Sequence, residues 1–167
     1  MKPDIYVVEL IGRGYLSVMA KPVSGEWIDD EFNAIANEGI CQIVSLLERH
    51  EAYEVGLQRE KEMTEKYKME FISYPIPDRG IPSSVAGYKI LTKNIYHEIA
   101  GGKNTVIHCR AGIGRTGLVA AGVLLHCGYA PLEAFTHISQ KRGVNVPDTD
   151  EQVNWVISNF NNIVEST

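Results

Sequence analysis

One stretch decides the fold of this 167-residue chain: Val106-Ile107-His108-Cys109-Arg110-Ala111-Gly112-Ile113-Gly114-Arg115-Thr116-Gly117. It reads as the end of a β-branched strand, a glycine-containing turn and the start of an apolar helix, with no gap between them. Such a turn directs successive backbone N–H groups inward, and the helix N-terminus adds partial positive charge. The stretch therefore predicts a cradle for a tetrahedral, dianionic group.

The side chains of this turn fit phosphate chemistry. Gly112 and Gly114 let the backbone approach an anion closely, and the planar fork of Arg115 suits two phosphate oxygens at once. The same N–H groups stabilise a thiolate, so we expect Cys109 to be ionised at neutral pH and to attack the phosphorus. This attack gives a phosphocysteine, which water then cleaves. Three further positions are predicted to line the phosphate site: Arg110, Ala111 and Ile113.

Neighbouring side chains are assigned supporting roles. We expect Thr116 to donate its hydroxyl to the sulfur and help it leave in the second step, and His108 to orient the loop or hold the thiolate by hydrogen bonds. Arg110 either attracts substrate at the pocket mouth or simply faces water. No second Cys or His lies near Cys109 at metal-ligand spacing, so neither a metal nor a cofactor is expected. A nucleotide-binding loop is excluded because residues 112–117 have its glycine spacing without the Lys that follows.

The regions on either side of this stretch alternate between strand and helix patterns. Short β-branched runs predict strands, and apolar residues at helical spacing between capping and Gly or Pro signals predict helices. The alternation predicts an α/β fold: one domain over residues 1–167, with a central, mostly parallel, twisted sheet of about five strands flanked by helices on both faces. The strands are predicted at residues 5–10, 15–20, 40–47, 71–76 and 105–108, and the helices between 24 and 39, 51 and 68, 84 and 101, 118 and 128, 131 and 143, and from 149 onward.

Two local patterns have ordinary structural explanations. Charge is densest between Glu48 and Glu70, and we interpret this segment as the solvated face of a surface helix. Thr149 and Gln152 have the spacing of a capping box at the start of the last helix. Neither pattern points to a binding site by itself.

Composition excludes several classes of protein. Sixteen Lys and Arg against 21 Asp and Glu give a formal charge of −5, so no overall positive field gathers nucleic acid or an anionic membrane. Three Cys, an odd number, do not form a disulfide scaffold. The longest apolar run, residues 118–125, is far shorter than the roughly 20 residues that span a bilayer, and residues 5–10 are too short for a signal-peptide core. We expect a cytoplasmic protein and favour a monomer, while secretion without a cleavable signal stays open.

Residues 108–117 match the signature H-C-x-x-G-x-x-R-[ST], and on this motif the chain resembles the cysteine-based protein tyrosine phosphatases. Its length and the distance back to a candidate acid resemble those of the dual-specificity branch. Within that branch, the helical early region and the segment Pro75-Ile76-Pro77-Asp78-Arg79-Gly80 are similar to kinase-associated-type phosphatases. The resemblance implies a parallel sheet flanked by helices and a general acid on a loop upstream of the nucleophile. Asp78 fills that place, where it would protonate the leaving oxygen.

The resemblance also suggests roles for two residues near the C-terminus. Some family members use a downstream Gln to place the hydrolytic water, so Gln152 is either that residue or only part of the capping box. Arg142 is either the Arg that relatives use to support the phosphate loop or an exposed cation at a helix end.

Three functions stay open at this point. The first is a protein phosphatase that uses Cys109, Arg115 and Asp78 on phosphotyrosine, with tolerance for phosphoserine and phosphothreonine. The second is a phosphate-recognising adaptor with little turnover. The third is a phosphatase for phosphoinositides or RNA 5′-phosphates, which is less favoured because Ala111 and Ile113 are apolar where related phosphoinositide phosphatases carry lysines.

Overall fold

The computed structural model describes residues 2–165. The strands are β1 (Tyr6–Ile11), β2 (Gly14–Met19), β3 (Gln42–Ser45), β4 (Glu70–Ser73) and β5 (Thr105–His108). The helices are α1 (Ile28–Asn37), α2 (Arg49–Glu54), α3 (Glu60–Lys66), α4 (Val85–Ala100), α5 (Gly114–His126), α6 (Pro131–Arg142) and α7 (Asp150–Val164). No helix within the described residues combines the length and the apolarity that crossing a membrane requires.

The five strands form one sheet in the order β1-β2-β5-β3-β4. β1 and β2 are an antiparallel hairpin, and all other neighbours are parallel. The last residue of the central strand β5, His108, pairs with Met19 of β2 on one side and with Ser45 of β3 on the other. Three strands therefore end at one level, and the chain after β5 leaves the sheet at its carboxyl edge, where folds of this type bind ligands. This architecture confirms the predicted α/β class.

Helices cover both faces of the sheet. The helices α4 to α7 pack together on one face, over a core that includes Leu16 and Ile107. α1 and α3 cover the other face, over a core that includes Ile43 and Val106. The neighbours Val106 and Ile107 lie in different cores because successive side chains of a strand point to opposite faces.

The predicted buried helix, α5, lies at the centre of the layer formed by α4 to α7, and all of its residues from Gly114 to Leu125 are buried. At Gly122 a Cβ atom would collide with Tyr88 and Thr92, so α4 and α5 approach more closely than a larger residue permits. The Tyr88 hydroxyl also donates a hydrogen bond of 2.7 Å to the carbonyl of Leu118. These contacts hold the N-terminus of α5 at the carboxyl edge of the sheet.

The charged segment between Glu48 and Glu70 differs from the prediction. It holds two short helices, α2 and α3, rather than one surface helix. Each of them buries one carboxylate, and Glu51 and Glu60 are both only 3% exposed. The interpretation of this segment as a solvated face is therefore wrong for these two side chains. Glu60 turns toward His108 at the end of β5, and Glu51 turns toward Arg115 in the first turn of α5.

Candidate active site

The loop between β5 and α5 has a shape that only glycine permits at one position. Gly112 has φ +73°, and a Cβ there would collide with the carbonyl of Met19 at the end of β2. Next to it, the Lys21 N–H donates a hydrogen bond of 3.0 Å to the carbonyl of Arg110. The end of β2 therefore supports the outer side of the loop, whose amides precede the first turn of α5.

Cys109 lies at the start of this loop and is buried, with 3% of its surface exposed. The hydroxyl of Thr116, in the first turn of α5, donates a hydrogen bond of 2.9 Å to the Cys109 Sγ. The structure thus brings together the two residues that the sequence pairs as nucleophile and sulfur-stabilising donor.

Arg115 is the most heavily bonded side chain of the site. Its Nη1 donates to Glu51 Oε1 at 2.6 Å and to the carbonyl of Ile76 at 2.9 Å. Its Nη2 donates to Glu51 Oε2 at 2.9 Å and to Asp78 Oδ1 at 3.2 Å. A buried guanidinium is therefore held in a fixed plane by a bidentate carboxylate, and the candidate acid is in contact with it.

The ionisation of this pair follows from its contacts. Burial by itself raises the pKa of Glu51, but hydrogen bonds from Arg115 and from the Glu48 N–H outweigh it, so this pKa lies below its usual value. Burial opposes the charge on Arg115, yet the hydrogen bond to Glu51 and the nearby Cys109, Glu51 and Asp78 raise its pKa. Both groups are charged at neutral pH, and the site keeps a permanent cation beside the sulfur.

We expect Glu51→Gln to lower the free energy of unfolding by about 3 kcal/mol, because the substitution leaves a buried guanidinium without its counter-charge. Urea denaturation followed by circular dichroism measures this change. The matched control is Glu54→Gln, which removes an exposed partner of Arg110 and should change stability by less than about 1 kcal/mol. Equally small effects of the two substitutions would contradict the structural role of Glu51.

Asp78 lies on the loop that follows β4. The Ile76 N–H donates to the carbonyl of Leu46 at 3.1 Å, which keeps the chain beside the sheet up to the start of this loop. A turn closed by the Gly80 N–H and the Pro77 carbonyl, at 2.7 Å, then presents Asp78 to solvent, with 59% of its side chain exposed. Its carboxylate is therefore accessible to a substrate and still in contact with Arg115.

The ring of His108 is fully buried behind the loop. Its Nδ1 lies 3.0 Å from the carbonyl oxygen of Cys109, and its Nε2 lies 2.6 Å from Glu60 Oε2. Of the two roles that the sequence suggests, these contacts favour orientation of the loop, since they engage both ring nitrogens with groups other than the sulfur.

Arg142, at the end of α6, reaches the outside of the same loop. Its Nε donates to the carbonyl of Gly112 at 3.2 Å, and its Nη2 donates to the carbonyl of Ala111 at 3.0 Å. The ring of Tyr6 stacks on the guanidinium at 4.5 Å. The structure thus favours the loop-supporting alternative, because carbonyls turned outward leave the amides of the loop to face inward.

Gln152 is fully buried and makes more contacts than a capping box alone requires. Its Oε1 accepts hydrogen bonds from the Asp148 and Thr149 N–H groups at 3.1 and 3.2 Å, and its Nε2 donates to the carbonyl of Gly80 at 3.0 Å. The side chain therefore connects the start of α7 to the loop of Asp78. The water-positioning role stays a prediction.

Arg110 lies at the mouth of the loop. Its Nη2 donates to Glu54 at 2.9 Å, and its Nε lies 3.7 Å from Glu51. This cation is already paired with acidic residues of α2, so it adds little free positive charge at the mouth. The Arg110 side chain is 42% exposed, so it faces water as well as its acidic partners, and its role toward substrate stays a prediction.

Sequence reasoning missed Glu51, Glu60 and Asp148. Glu51 and Glu60 are hidden in the charged run, although a capping box of Glu48 and Glu51 marks the start of α2 and would have placed Glu51 on a helix. Asp148 packs its carboxylate against the backbone of Gly114, where a Cβ would collide with it. No sequence pattern indicates that contact.

Comparison with known proteins agrees with this geometry. The chain is 25% identical to the rat (Rattus norvegicus) protein named cyclin-dependent kinase inhibitor 3 over 131 residues, which cover 77% of this chain and 61% of that protein. It is 32% identical to the pig (Sus scrofa) protein of the same name over 85 residues, which cover 50% of this chain and 40% of that protein. The chain thus spans less than two thirds of the length of these curated relatives.

Solved structures show the same fold. A crystal structure of kinase associated phosphatase, with its catalytic cysteine replaced by serine, matches with a TM-score of 0.88 at 20% identity and covers 100% of this chain and 98% of that one. The active form of Tk-PTP matches with a TM-score of 0.75 at 28% identity, over 94% of this chain and 97% of that one.

A family model described as "Polymorphic toxin system, DSP-PTPase phosphatase" matches residues 17–129. That span runs from β2 through α5 and beyond. It therefore contains the loop of Asp78, the phosphate-binding loop and both buried glutamates. Since this match extends over more than half of the 167 residues, the chain belongs to the DSP-PTPase phosphatase family of polymorphic toxin systems.

Proposed function

We propose that this chain hydrolyses phosphomonoesters, above all phosphotyrosine in proteins or peptides, through a phosphocysteine on Cys109. The observation that carries the proposal is one constellation: Cys109 Sγ accepts a hydrogen bond from Thr116, while Arg115 next to it contacts Asp78. A nucleophile, a donor to its sulfur, a phosphate-binding cation and a candidate acid thus converge at one edge of the sheet.

Phosphoryl transfer proceeds in two steps on these residues. The thiolate of Cys109 attacks phosphorus, the bond from phosphorus to the ester oxygen breaks, and Asp78 gives its proton to that oxygen. Water then attacks the phosphocysteine, Asp78 takes a proton from this water, and the bond from phosphorus to sulfur breaks. The Thr116 hydroxyl stabilises the departing thiolate, and inorganic phosphate leaves.

The hydrogen bonds of Arg115 determine how it receives phosphate. A guanidinium has five N–H donors. Three of them are used by Glu51 and by the Ile76 carbonyl, and a fourth is used by Asp78. The Nε donor and the donor now given to Asp78 remain for two phosphate oxygens. Substrate binding therefore displaces Asp78 from Arg115 and frees its carboxyl group to meet the leaving oxygen.

The surroundings of the loop favour a single phosphate group on a peptide. Arg110 is paired with Glu54 and approached by Glu51, and Ala111 and Ile113 carry no charge. A ligand with several phosphates needs further cations in the loop, and the described side chains at these positions do not offer them. This observation ranks phosphoinositides and RNA 5′-phosphates below phosphotyrosine.

We propose a cytoplasmic location and a monomeric state, and the placement of the three cysteines supports the location because it provides no disulfide partner for Cys109. Cys109, Cys41 and Cys127 are all free. Cys41 precedes β3 at the opposite end of the sheet, and Cys127 follows α5 at its far end, on the order of 20 Å from the loop for a helix of this length. Neither is within the 7 Å or so between Cα atoms that a disulfide with Cys109 needs.

The experiment compares initial rates on four substrates with a chelator present: a phosphotyrosine peptide, a phosphothreonine peptide, an inositol phosphate and an RNA 5′-phosphate. We expect the phosphotyrosine peptide to be hydrolysed at least about tenfold faster than the last two. If the inositol phosphate or the RNA is hydrolysed faster than the phosphotyrosine peptide, the substrate class is that compound's and not phosphotyrosine. Tight binding of the phosphotyrosine peptide without any turnover would favour the adaptor function.

A further inference from the structure

Glu60 and His108 form an ion-pair contact that the proposed mechanism does not use. Glu60 begins α3, whereas His108 ends β5, and their side chains meet at 2.6 Å between Oε2 and Nε2. Both side chains are inaccessible to solvent, with exposures of 4% for Glu60 and 0% for His108. A buried carboxylate or imidazole is stable only when it has a hydrogen-bond partner. The contact between Glu60 and His108 therefore restricts how many protons the two side chains can hold.

The hydrogen bonds of the ring fix the number of protons. The carbonyl oxygen of Cys109 only accepts hydrogen bonds, so Nδ1, which lies 3.0 Å away, carries a hydrogen. A second hydrogen lies between Nε2 and Glu60, because an unprotonated nitrogen and a carboxylate repel each other at 2.6 Å. The pair therefore holds one proton more than a neutral histidine beside a carboxylate, and either partner can carry it.

We propose that Glu60 is a positioning residue that holds His108 as an imidazolium directly behind the phosphate-binding loop, where its positive charge favours the ionised sulfur of Cys109. The importance of this arrangement for turnover rests on the proposed phosphatase function. The protonation state of His108 does not depend on that function.

The charges around His108 support this assignment. The groups that act on the ring are the Glu60 carboxylate on α3, the backbone carbonyl of Cys109 just after β5 and the Arg115 guanidinium on α5. Burial lowers the pKa of His108 and Arg115 lowers it further, but Glu60 and the hydrogen bond with the Cys109 carbonyl raise it above the ordinary value on balance. Without Glu60, a fully buried imidazole is neutral at pH 7.

The orientation of the ring determines which charge of the pair lies nearer to Cys109. Nδ1 faces the backbone of Cys109, and Nε2 faces Glu60 on the other side of the ring. The positive end of the pair is therefore nearer to the nucleophile than the negative end. A pair that is neutral overall still stabilises a thiolate in this arrangement, because the field falls off with distance.

The first measurement uses the unaltered protein. Nitrogen-15 NMR of the histidine rings reports directly whether Nε2 carries a proton. We expect His108 to show two protonated nitrogens from about pH 5 to about pH 8, where ordinary histidines lose one. A ring with an unprotonated Nε2 at pH 7 overturns the proposal, because the proton then belongs to Glu60.

The second measurement follows alkylation of Cys109 by iodoacetamide, read by mass spectrometry of its peptide, in Glu60→Gln. The amide keeps a hydrogen bond to a neutral ring but removes the charge that holds its second proton. We expect about tenfold slower alkylation near pH 6, with the rates converging at high pH. The matched control is Glu65→Gln on the same helix, where the side chain is 57% exposed, and it should alkylate at the unaltered rate.

The outcomes separate this inference from the function. If the Glu60→Gln chain folds and its His108 ring loses the second proton, alkylation of Cys109 at the unaltered rate overturns the proposal that the charge on His108 favours the ionised sulfur. If that variant does not fold, the NMR titration of the unaltered chain decides. A chain that lacks phosphatase activity but shows the imidazolium and the slower alkylation supports this inference and contradicts the proposed function.

Discussion

The Cys109→Ser chain is expected to retain phosphate binding and to lose turnover, with kcat lower by at least about 10⁴-fold. A serine hydroxyl stays protonated near neutrality, and the loop offers no adjacent base that removes its proton. The loop amides and Arg115 are unchanged in this variant, because Arg115 is fixed by Glu51 rather than by the sulfur. Initial rates on the phosphotyrosine peptide, together with calorimetric titration with inorganic phosphate, measure both properties.

The matched control for this substitution is Cys127→Ser. Cys127 lies beyond the C-terminal end of α5, and burial and Glu9 raise its pKa to about 11, so it is a neutral thiol at physiological pH. We expect its substitution to leave kcat unchanged. A rapid-quench experiment on the unaltered chain should also trap phosphate on the peptide that contains Cys109. Substantial turnover by Cys109→Ser would exclude the covalent mechanism.

The fold was largely predictable because its signals are local. Strand β5, the glycine turn and the buried helix α5 are adjacent in the chain, so their order and polarity are readable from residues 105–125. The capping box at Thr149 is likewise a contact within four residues, and both of its hydrogen bonds are present. Local patterns of this kind need no knowledge of what lies across the sheet.

The buried glutamates were not predictable for the opposite reason. Glu51 meets Arg115 across 64 positions of the chain, and Glu60 meets His108 across 48. In the sequence both lie among many exposed charges, and the periodicity of two helices of six and seven residues is too short to separate inward from outward positions. Only the folded arrangement of α2 and α3 over the end of β5 distinguishes these two carboxylates from their neighbours.

The position of Asp78 shows an intermediate case. Its Pro- and Gly-flanked loop is visible in the sequence, and the resemblance to the phosphatases assigns it the role of the acid. Its contact with Arg115 and the connection of its loop to Gln152 through Gly80 come only from the structure. Before substrate binds, both contacts hold the exposed loop beside the phosphate-binding loop, and the Gln152 contact does not depend on Asp78 staying on Arg115.

Asp78→Asn is expected to lower kcat on a phosphotyrosine peptide by about 10²–10⁴-fold, the usual contribution of a general acid. The asparagine oxygen still accepts a hydrogen bond from Arg115, but the amide has no acidic proton for the leaving oxygen. The loss should be much smaller on p-nitrophenyl phosphate, whose leaving group needs no protonation. This comparison of leaving groups identifies proton donation rather than a general disturbance of the loop.

A second carboxylate completes the test. The loss of kcat that depends on the leaving group should appear in Asp78→Asn and be absent from a variant of a neighbouring carboxylate that does not donate the proton. Asp148→Asn is the matched comparison, because Asp148 is exposed on the loop before α7 and its carboxylate lies against Gly114. If Asp148→Asn shows this dependence on the leaving group and Asp78→Asn does not, then Asp148 is the acid. That result would move the proton donor from the loop after β4 to the loop before α7.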